Sequence, residues 1–196
     1  PSIWPVVHVL ATQAVKGLWE GERELWRIDA MVEKTFRLRM LGELSVRMLG
    51  GMADATAPYA FLFNLRGSFA TRTPLATRNT FETMRPNEFL ADRYATVHVR
   101  HSFGNLLYEG KTFKPVPVLV FSAGWGALEH PERHRGYTFS ALEDGYYEGG
   151  LQIDNLLRSG FTGLGIGAFY RLGPQAFPDA MDNLAVKATL GLAFGN

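Results

Sequence analysis

The feature that most constrains the fold of this chain is a two-residue alternation over residues 26–40, "WRIDAMVEKTFRLRM". One parity is apolar: Trp26, Ile28, Ala30, Val32, Phe36, Leu38 and Met40. The other parity is polar: Arg27, Asp29, Glu33, Thr35, Arg37 and Arg39. Only Lys34 interrupts the apolar series. A helix would mix the two sets around its circumference, whereas a strand places them on opposite faces. The stretch is therefore predicted to be a long strand with one apolar and one charged face.

The same alternation recurs along the chain and predicts about eight strands in all. The other stretches are residues 3–12, 44–48, 94–103, 116–125, 146–154, 160–174 and 183–194. Most of them approach the roughly 9–11 residues that a tilted strand needs to cross an outer membrane. Repeated two-faced strands of this length indicate an antiparallel all-β protein.

The predicted connections alternate between short and long. The two longest lie at about residues 53–91 and 127–145, whereas the link at Leu41-Gly42 is tight. Outer-membrane barrels combine short periplasmic turns with longer external loops, so we expect both long connections to be external. Aromatic residues near the strand ends are typical of the girdles of such barrels: Trp19, Trp26, Trp125, Tyr94, Tyr108, Tyr146 and Tyr170.

Charge and composition exclude several classes of function. The net charge is +1, so no bulk attraction to nucleic acid is expected. The chain has no cysteine, which excludes disulfides and thiolate metal sites. Charged residues also interrupt every apolar run well below the roughly 18 residues of a membrane helix. A membrane-spanning form of this chain could only be a β-barrel.

Two short motifs are weak candidates for chemistry. Gly163, Gly165 and Ala168 fit a relaxed dinucleotide fingerprint, but Gly173-Pro174 leaves no room for the helix that this site requires. His130 and His134 have the spacing of a helical metal pair, but they lie in a polar stretch with Pro131. We therefore predict no catalytic residue, no metal and no cofactor, and expect that the chain is not an enzyme.

The polar parity of the predicted strands is the candidate functional surface. Its members are Arg27, Asp29, Glu33, Arg37, Arg39, Arg47, His98, Arg100, Glu148, Asp154 and Lys187. In a barrel these side chains would face the lumen, where they could line a pore or form salt bridges that fill a narrow interior. Gly163, Gly165 and Gly167 would form a bare lumen wall that a bulky neighbour, a kink or a plug could approach closely.

A soluble antiparallel β-barrel that binds a small apolar ligand is the alternative interpretation. Its strands would alternate in the same way, with the apolar parity inside and the charges in water. This interpretation requires an inward-facing set of apolar residues: Trp26, Ile28, Val32, Leu184, Val186 and Leu190.

One segment carries a family resemblance: residues 79–108, "NTFETMRPNEFLADRYATVHVRHSFGNLLY". It resembles a signature of a large, poorly characterised family of bacterial outer-membrane proteins. The matching residues are Phe81, Met84, Glu88, Phe89, Asp92, Arg93, Tyr94, His101 and Phe103. Residues 146–173 are similar to the penultimate hairpin of that family. Leu192-Ala193-Phe194 is similar to the terminal aromatic strand that the barrel-assembly machinery recognises.

The resemblance implies a larger protein, with a carboxypeptidase-regulatory-like β-sandwich before the barrel. We therefore predict that residues 1–196 form a single transmembrane β-barrel domain, or the C-terminal part of one, in a bacterial outer membrane. The expected role is in envelope transport or assembly, or as a scaffold in a larger outer-membrane complex. Expected partners are outer-membrane lipids, the barrel-assembly machinery and other outer-membrane proteins, with no nucleic acid.

Overall fold

The computed structural model describes residues 3–17, 24–69, 74–104, 108, 110, 113–134, 136, 138–159 and 162–192. The predicted all-β class is confirmed, and within these ranges there is no α-helix. Short 3-10 turns occur at Arg39–Leu41, Tyr59–Phe61, Pro131–Arg133, Gly173–Gln175 and Met181–Asn183. None of the described helical turns is long and apolar enough to cross a lipid bilayer.

Eight long strands form one antiparallel sheet, as the alternation predicted. With two short strands, β4 and β5, the described chain has ten strands in all. In chain order they are β1 Val6–Ala14, β2 Leu25–Arg37, β3 Glu43–Ala53, β4 Phe63–Asn64, β5 Leu90–Ala91, β6 Arg93–Ser102, β7 Val116–Ala127, β8 Tyr146–Ser159, β9 Thr162–Leu172 and β10 Leu184–Leu192. The sheet order is β1-β2-β3-β6-β7-β8-β9-β10, and the short strands β4 and β5 pair only with each other.

The sheet does not close into a barrel within the described residues. Its two outermost strands, β1 and β10, each have one long-strand neighbour and do not pair with each other. The free edge of β10 is partly covered by a loop. The Ala188 amide donates to the Pro74 carbonyl at 2.6 Å, and the Ala76 amide donates to the Ala188 carbonyl at 2.8 Å. The antiparallel sheet is thus observed, while a closed barrel is not.

The link between β3 and β6 is long, as predicted, and much of it packs against one face of the sheet. We call residues 63–69 and 74–92 the inserted segment, and we call the face that it covers the inner face. A buried apolar cluster joins the segment to the sheet: Leu65, Phe81, Met84, Phe89, Leu142 and Tyr146. The segment is therefore folded onto the sheet.

The link begins with a tight turn directly after β3. The Asp54 carboxylate accepts hydrogen bonds from the backbone amide of Thr56 at 2.7 Å and from its hydroxyl at 2.6 Å. These two bonds stabilise the charged form and lower the pKa of Asp54. The turn directs the chain from the end of β3 toward the inner face.

The two faces of the sheet have the polarity that the alternation predicted. The apolar parity of β2, β9 and β10 lies on the uncovered outer face, where Trp26, Ile166 and Val186 are 43%, 47% and 59% exposed. Lys187, the direct neighbour of Val186, lies on the inner face and is 4% exposed. Successive residues of a strand point to opposite faces, so this contrast sorts apolar from charged side chains along each strand.

The strand β2 is shorter than the alternation suggested. It ends at Arg37, and the next residues form a 3-10 turn in which Arg39 has a φ of +38°. Gly42, with a φ of +85°, completes the turn. Arg39 is exposed in this turn, and Arg37 is exposed beside Glu43 at the rim. Both arginines are therefore exposed at this end of the sheet.

Candidate functional site

The inner face carries a continuous polar row that crosses six strands in direct register. Each member lies opposite the next on the neighbouring strand, in the order Glu33, Arg47, His98, Ser122, Glu148 and Arg171. Directly opposed side chains on one face are close enough to interact. Four members were predicted from the sequence, whereas Ser122 and Arg171 were not.

Glu148 attaches the inserted segment to the centre of the sheet. Its carboxylate accepts hydrogen bonds from the backbone amides of Glu82 at 3.0 Å and Thr83 at 2.6 Å. The Thr83 hydroxyl also donates to it, at 2.6 Å. Glu148 is 1% exposed, so these three donors replace the water that the carboxylate has lost.

A second attachment joins Lys187 on β10 to Glu82. The Lys187 ammonium lies 2.7 Å from the Glu82 carboxylate, and both side chains are 3% exposed. The same ammonium donates to the carbonyl oxygen of Ser68 at 2.8 Å and to its hydroxyl oxygen at 3.0 Å. A buried ion pair is tolerated when further hydrogen bonds satisfy both charges, and this one meets that condition.

Arg171 on β9 forms a third attachment. Its guanidinium donates to Glu88 of the inserted segment and, at 3.0 Å, to the hydroxyl of Tyr146. The Tyr146 and Thr83 hydroxyls are 2.7 Å apart. Tyr146 therefore faces the interior, which corrects its predicted place in an aromatic girdle. Its parity along β8 is that of Glu148, and this was the signal available in the sequence.

Four further predicted residues form two ion pairs within the sheet. Arg27 pairs with Asp29 at 2.9 Å and also donates to the Phe61 carbonyl at 3.0 Å. Arg100 pairs with Asp154, which in turn accepts from the Thr189 hydroxyl at 2.7 Å. Several ion pairs therefore lie on the inner face among the described residues.

The family-like residues form the interior of the inserted segment. Phe81, Met84 and Phe89 are at most 1% exposed and belong to the buried apolar cluster. The Phe81 ring packs between His98 on β6, with ring centroids 5.0 Å apart, and Tyr146 on β8, with centroids 5.2 Å apart. These residues therefore have a structural role that joins segment and sheet.

The last residues of the same motif hold the chain in place where the inserted segment ends and β6 begins. The backbone of Asp92 bonds to β3 and β7, and its carboxylate accepts from the Glu129 amide at 2.6 Å. Arg93 lies 3.5 Å from the Glu129 carboxylate, and Tyr94 packs on Phe63 with ring centroids 4.7 Å apart. Tyr94 is thus an inner-face residue rather than a girdle residue.

The three glycines of β9 are inner-face positions, and neighbouring side chains occupy the space above them. A β-bulge between Ile153 and Leu157 turns the Asn155 side chain over Gly163. Gly165 lies under Thr189 and the backbone of residues 153–154, and Gly167 lies under Phe169 and Gln152. The stretch is a strand, not a phosphate loop, and the neighbours of the glycines come from β8, β9 and β10.

Replacing Gly165 with alanine is expected to destabilise the fold by about 1–3 kcal/mol, the usual cost of overpacking. A methyl group there would collide with the Ile153 carbonyl and would lie 2.8 Å from the Asp154 Cα, both backbone atoms that cannot rotate away. A urea titration followed by tryptophan fluorescence measures the free energy of unfolding. Gly149→Ala on the outer face of β8 is the control, because the same added methyl group would have the Leu172 side chain as its nearest neighbour, at 3.6 Å. Equal stability of Gly165→Ala and the parent chain would contradict the packing described.

Two cavities remain between the inserted segment and the sheet. One, of about 70 Å³, is bounded by residues 76–80 and by inner-face side chains of β6 to β10, including Arg100, Gln152 and Thr189. The other, of about 100 Å³, is bounded by Arg27, Phe63, Arg66 and Tyr94. Neighbouring strands are about 4.8 Å apart. Because five consecutive strands line the first small cavity, the sheet must curl around the inserted segment.

A hydrogen-bonded serine and histidine lie on the inner face. Ser122 and His98 share a hydrogen bond of 2.9 Å, but Ser122 is 0% exposed and therefore cannot meet a substrate. No group of three or more metal-ligating side chains is present in the described part of the chain. His130 hydrogen-bonds to Glu132 in the loop after β7. Trp19, Gly160, Phe161 and the predicted terminal aromatic Phe194 lie outside the described residues.

Comparison of the chain with known protein families, with curated proteins and with solved structures finds no match.

Proposed function

We propose that this chain forms an integral outer-membrane β-barrel, or the C-terminal part of one, that serves envelope transport or assembly or is a scaffold in a larger outer-membrane complex. The observation that carries the proposal is that the apolar face of the sheet is uncovered while the charged face is covered. The apolar parity is uncovered, whereas Glu148, Arg171 and Lys187 of the charged parity are buried under the inserted segment. Lipid is the solvent in which an apolar outer face and a charged interior are favourable.

The extent of the apolar face supports a lipid environment. Its large exposed members span the sheet from β2 to β10: Trp26, Ile28, Val32, Phe36, Met48, Met52, Leu119, Phe121, Trp125, Leu151, Leu164, Ile166, Tyr170, Val186 and Leu190. Soluble monomers rarely expose contiguous apolar patches beyond a few hundred Å². Outer-membrane lipids, and the barrel-assembly machinery that inserts such sheets, are the partners that follow from this proposal.

The soluble alternative places the same residues on the opposite side. A ligand-binding barrel would require Trp26, Ile28 and Val186 to face inward, but they lie on the uncovered face. The covered side holds Glu148, Arg171 and Lys187, and the apolar cluster there is filled by side chains of the chain itself. The arrangement therefore favours the outer-membrane proposal. The inserted segment further favours a filled interior over a wide open pore.

Replacing Val186 with arginine is expected to cost about 2–4 kcal/mol of insertion free energy if this part of β10 lies near the bilayer midplane. The full chain would be refolded into phosphatidylcholine vesicles, and the folded fraction would be read from its heat-modifiable mobility in gel electrophoresis. We expect a much smaller folded fraction than for the parent chain.

Met181→Arg is the matched control, because Met181 is exposed in the turn that precedes β10. It adds the same charge only a few residues away and should insert as well as the parent chain. Equal insertion of Val186→Arg and Met181→Arg would contradict the proposal. Recovery of the parent chain as a monodisperse protein without detergent would contradict it as well.

A further inference from the structure

We propose that the two cavities beneath the inserted segment form a binding site for a small oxyanion, a solute that carries a phosphate or carboxylate group. The inference rests on the proposed function only for the route by which the solute arrives. The two cavities adjoin, because Asn79 and His98 line both of them. Their volumes of about 70 and 100 Å³ exceed the roughly 10–15 Å³ that one water needs, and lie well below the roughly 300–1,000 Å³ of a pocket for a drug-sized ligand.

The charge of the lining favours an anion. Four arginines border the cavities, Arg27, Arg66, Arg78 and Arg100. Three carboxylates border them as well, Asp29, Glu82 and Asp154. Each carboxylate is already paired, with Arg27, Lys187 and Arg100 respectively. The backbone carbonyl of Arg66 accepts a hydrogen bond from the Phe81 amide at 2.8 Å. The guanidinium groups of Arg66 and Arg78 form no ion pair or hydrogen bond with any described residue, so both remain for a ligand.

A third guanidinium adds an unpaired buried donor close to the same place. Arg47 lies directly opposite His98 on the inner face. Its Nε–H is buried and has no acceptor among the described residues, although its Nη1 lies 3.5 Å from the Glu33 carboxylate. A buried donor without a partner is costly, and an incoming acceptor would remove that cost.

The chemistry of arginine selects the ligand class. A guanidinium presents several N–H donors in one plane, which match the paired oxygens of a carboxylate or phosphate. Arg66 and Arg78 belong to the inserted segment and border different cavities, which share Asn79, and Arg47 lies on the sheet. An anion held between them would therefore contact both the segment and the strands. If the proposed function holds, this site would give an outer-membrane barrel a preference for anionic solutes.

The test is a calorimetric titration of the full chain in neutral detergent with inorganic phosphate at low ionic strength. We expect saturable binding of one phosphate per chain. Nonspecific attraction of phosphate to charges on the protein surface would not saturate at one equivalent and would weaken as salt is added. Arg66→Gln combined with Arg78→Gln should weaken binding at least about tenfold, the effect of losing charge-assisted hydrogen bonds. Both side chains are exposed, so circular dichroism of the variant should match that of the parent chain.

Arg37→Gln is the matched control, because it removes an exposed arginine that pairs with Glu43 outside the cavities. Its affinity for phosphate should equal that of the parent chain. Titration with a short-chain phosphatidic acid identifies the source: tighter binding than phosphate indicates a lipid headgroup, and equal binding indicates a free solute. Absence of saturable binding, or equal affinity in the double variant, would overturn the inference. The measurement needs no membrane, so its failure is distinct from failure of the insertion assay.

Discussion

Replacing Lys187 with methionine is expected to lower the free energy of unfolding by about 3–5 kcal/mol, the cost of leaving one partner of a buried ion pair uncompensated. The Glu82 carboxylate would remain at 3% side-chain exposure, without the ammonium that lies 2.7 Å away in the parent chain. Ser68 would lose two hydrogen bonds at the same time. The measurement is a urea titration of the detergent-refolded chain, followed by tryptophan fluorescence.

A second substitution separates the charge effect from the loss of packing. Lys187→Met combined with Glu82→Gln removes both charges while the amide retains most of the shape of the carboxylate. We expect the double variant to regain part of the lost stability, because no net charge is then buried. A double variant whose loss equals the sum of the two single losses would show that the pair is not coupled. Such additivity would contradict the account of this attachment.

Replacing Glu148 with alanine is expected to destabilise the fold by about 2–6 kcal/mol, because the buried amides of Glu82 and Thr83 would each lose their acceptor at about 1–3 kcal/mol. The Thr83 hydroxyl would retain Tyr146 as a partner. The expected structural result is local: the inserted segment should detach while the sheet persists. Amide hydrogen exchange should then increase at residues 82–83 before it increases in β8.

Glu143→Ala is the control for this substitution. Glu143 precedes β8 in the same chain region and is exposed, so its truncation removes a carboxylate without uncovering a buried donor. Surface substitutions of this kind usually change stability by less than about 0.5 kcal/mol. Hydrogen exchange at residues 82–83 that is unchanged in Glu148→Ala would show that the carboxylate does not hold the segment.

The strands and their two faces could be predicted from the sequence because the signal is local. Along β2, the separation of Trp26 and Ile28 from Arg27 and Asp29 needs only the two-residue period of an extended chain. The same period assigned Lys187 and Glu148 to the charged face. It failed at Arg39, where the hairpin turn had already begun, because alternation alone does not mark the end of a strand.

The inserted segment could not be predicted because its contacts connect distant parts of the chain. Glu82 and Lys187 are 105 residues apart, and Thr83 and Glu148 are 65 residues apart. Over residues 63–92 the sequence has no period that would distinguish an external loop from a segment folded onto the sheet. In the sequence, only the family resemblance singled out Phe81, Met84 and Phe89. Their burial in the structure explains why apolar residues occur in this connection.

The hydrogen bonds between residues 74–76 and Ala188 impose an order on folding. A ribosome produces the inserted segment well before β10, so for a time the segment has neither Ala188 nor Lys187 to bind. During that interval its polar groups must remain solvated or be held by another protein, while β8 and β9 are still being made. The contacts of the segment with Ala188 and Lys187 can therefore form only after β10 has been made, whereas its contacts with Glu148 and Arg171 need only β8 and β9.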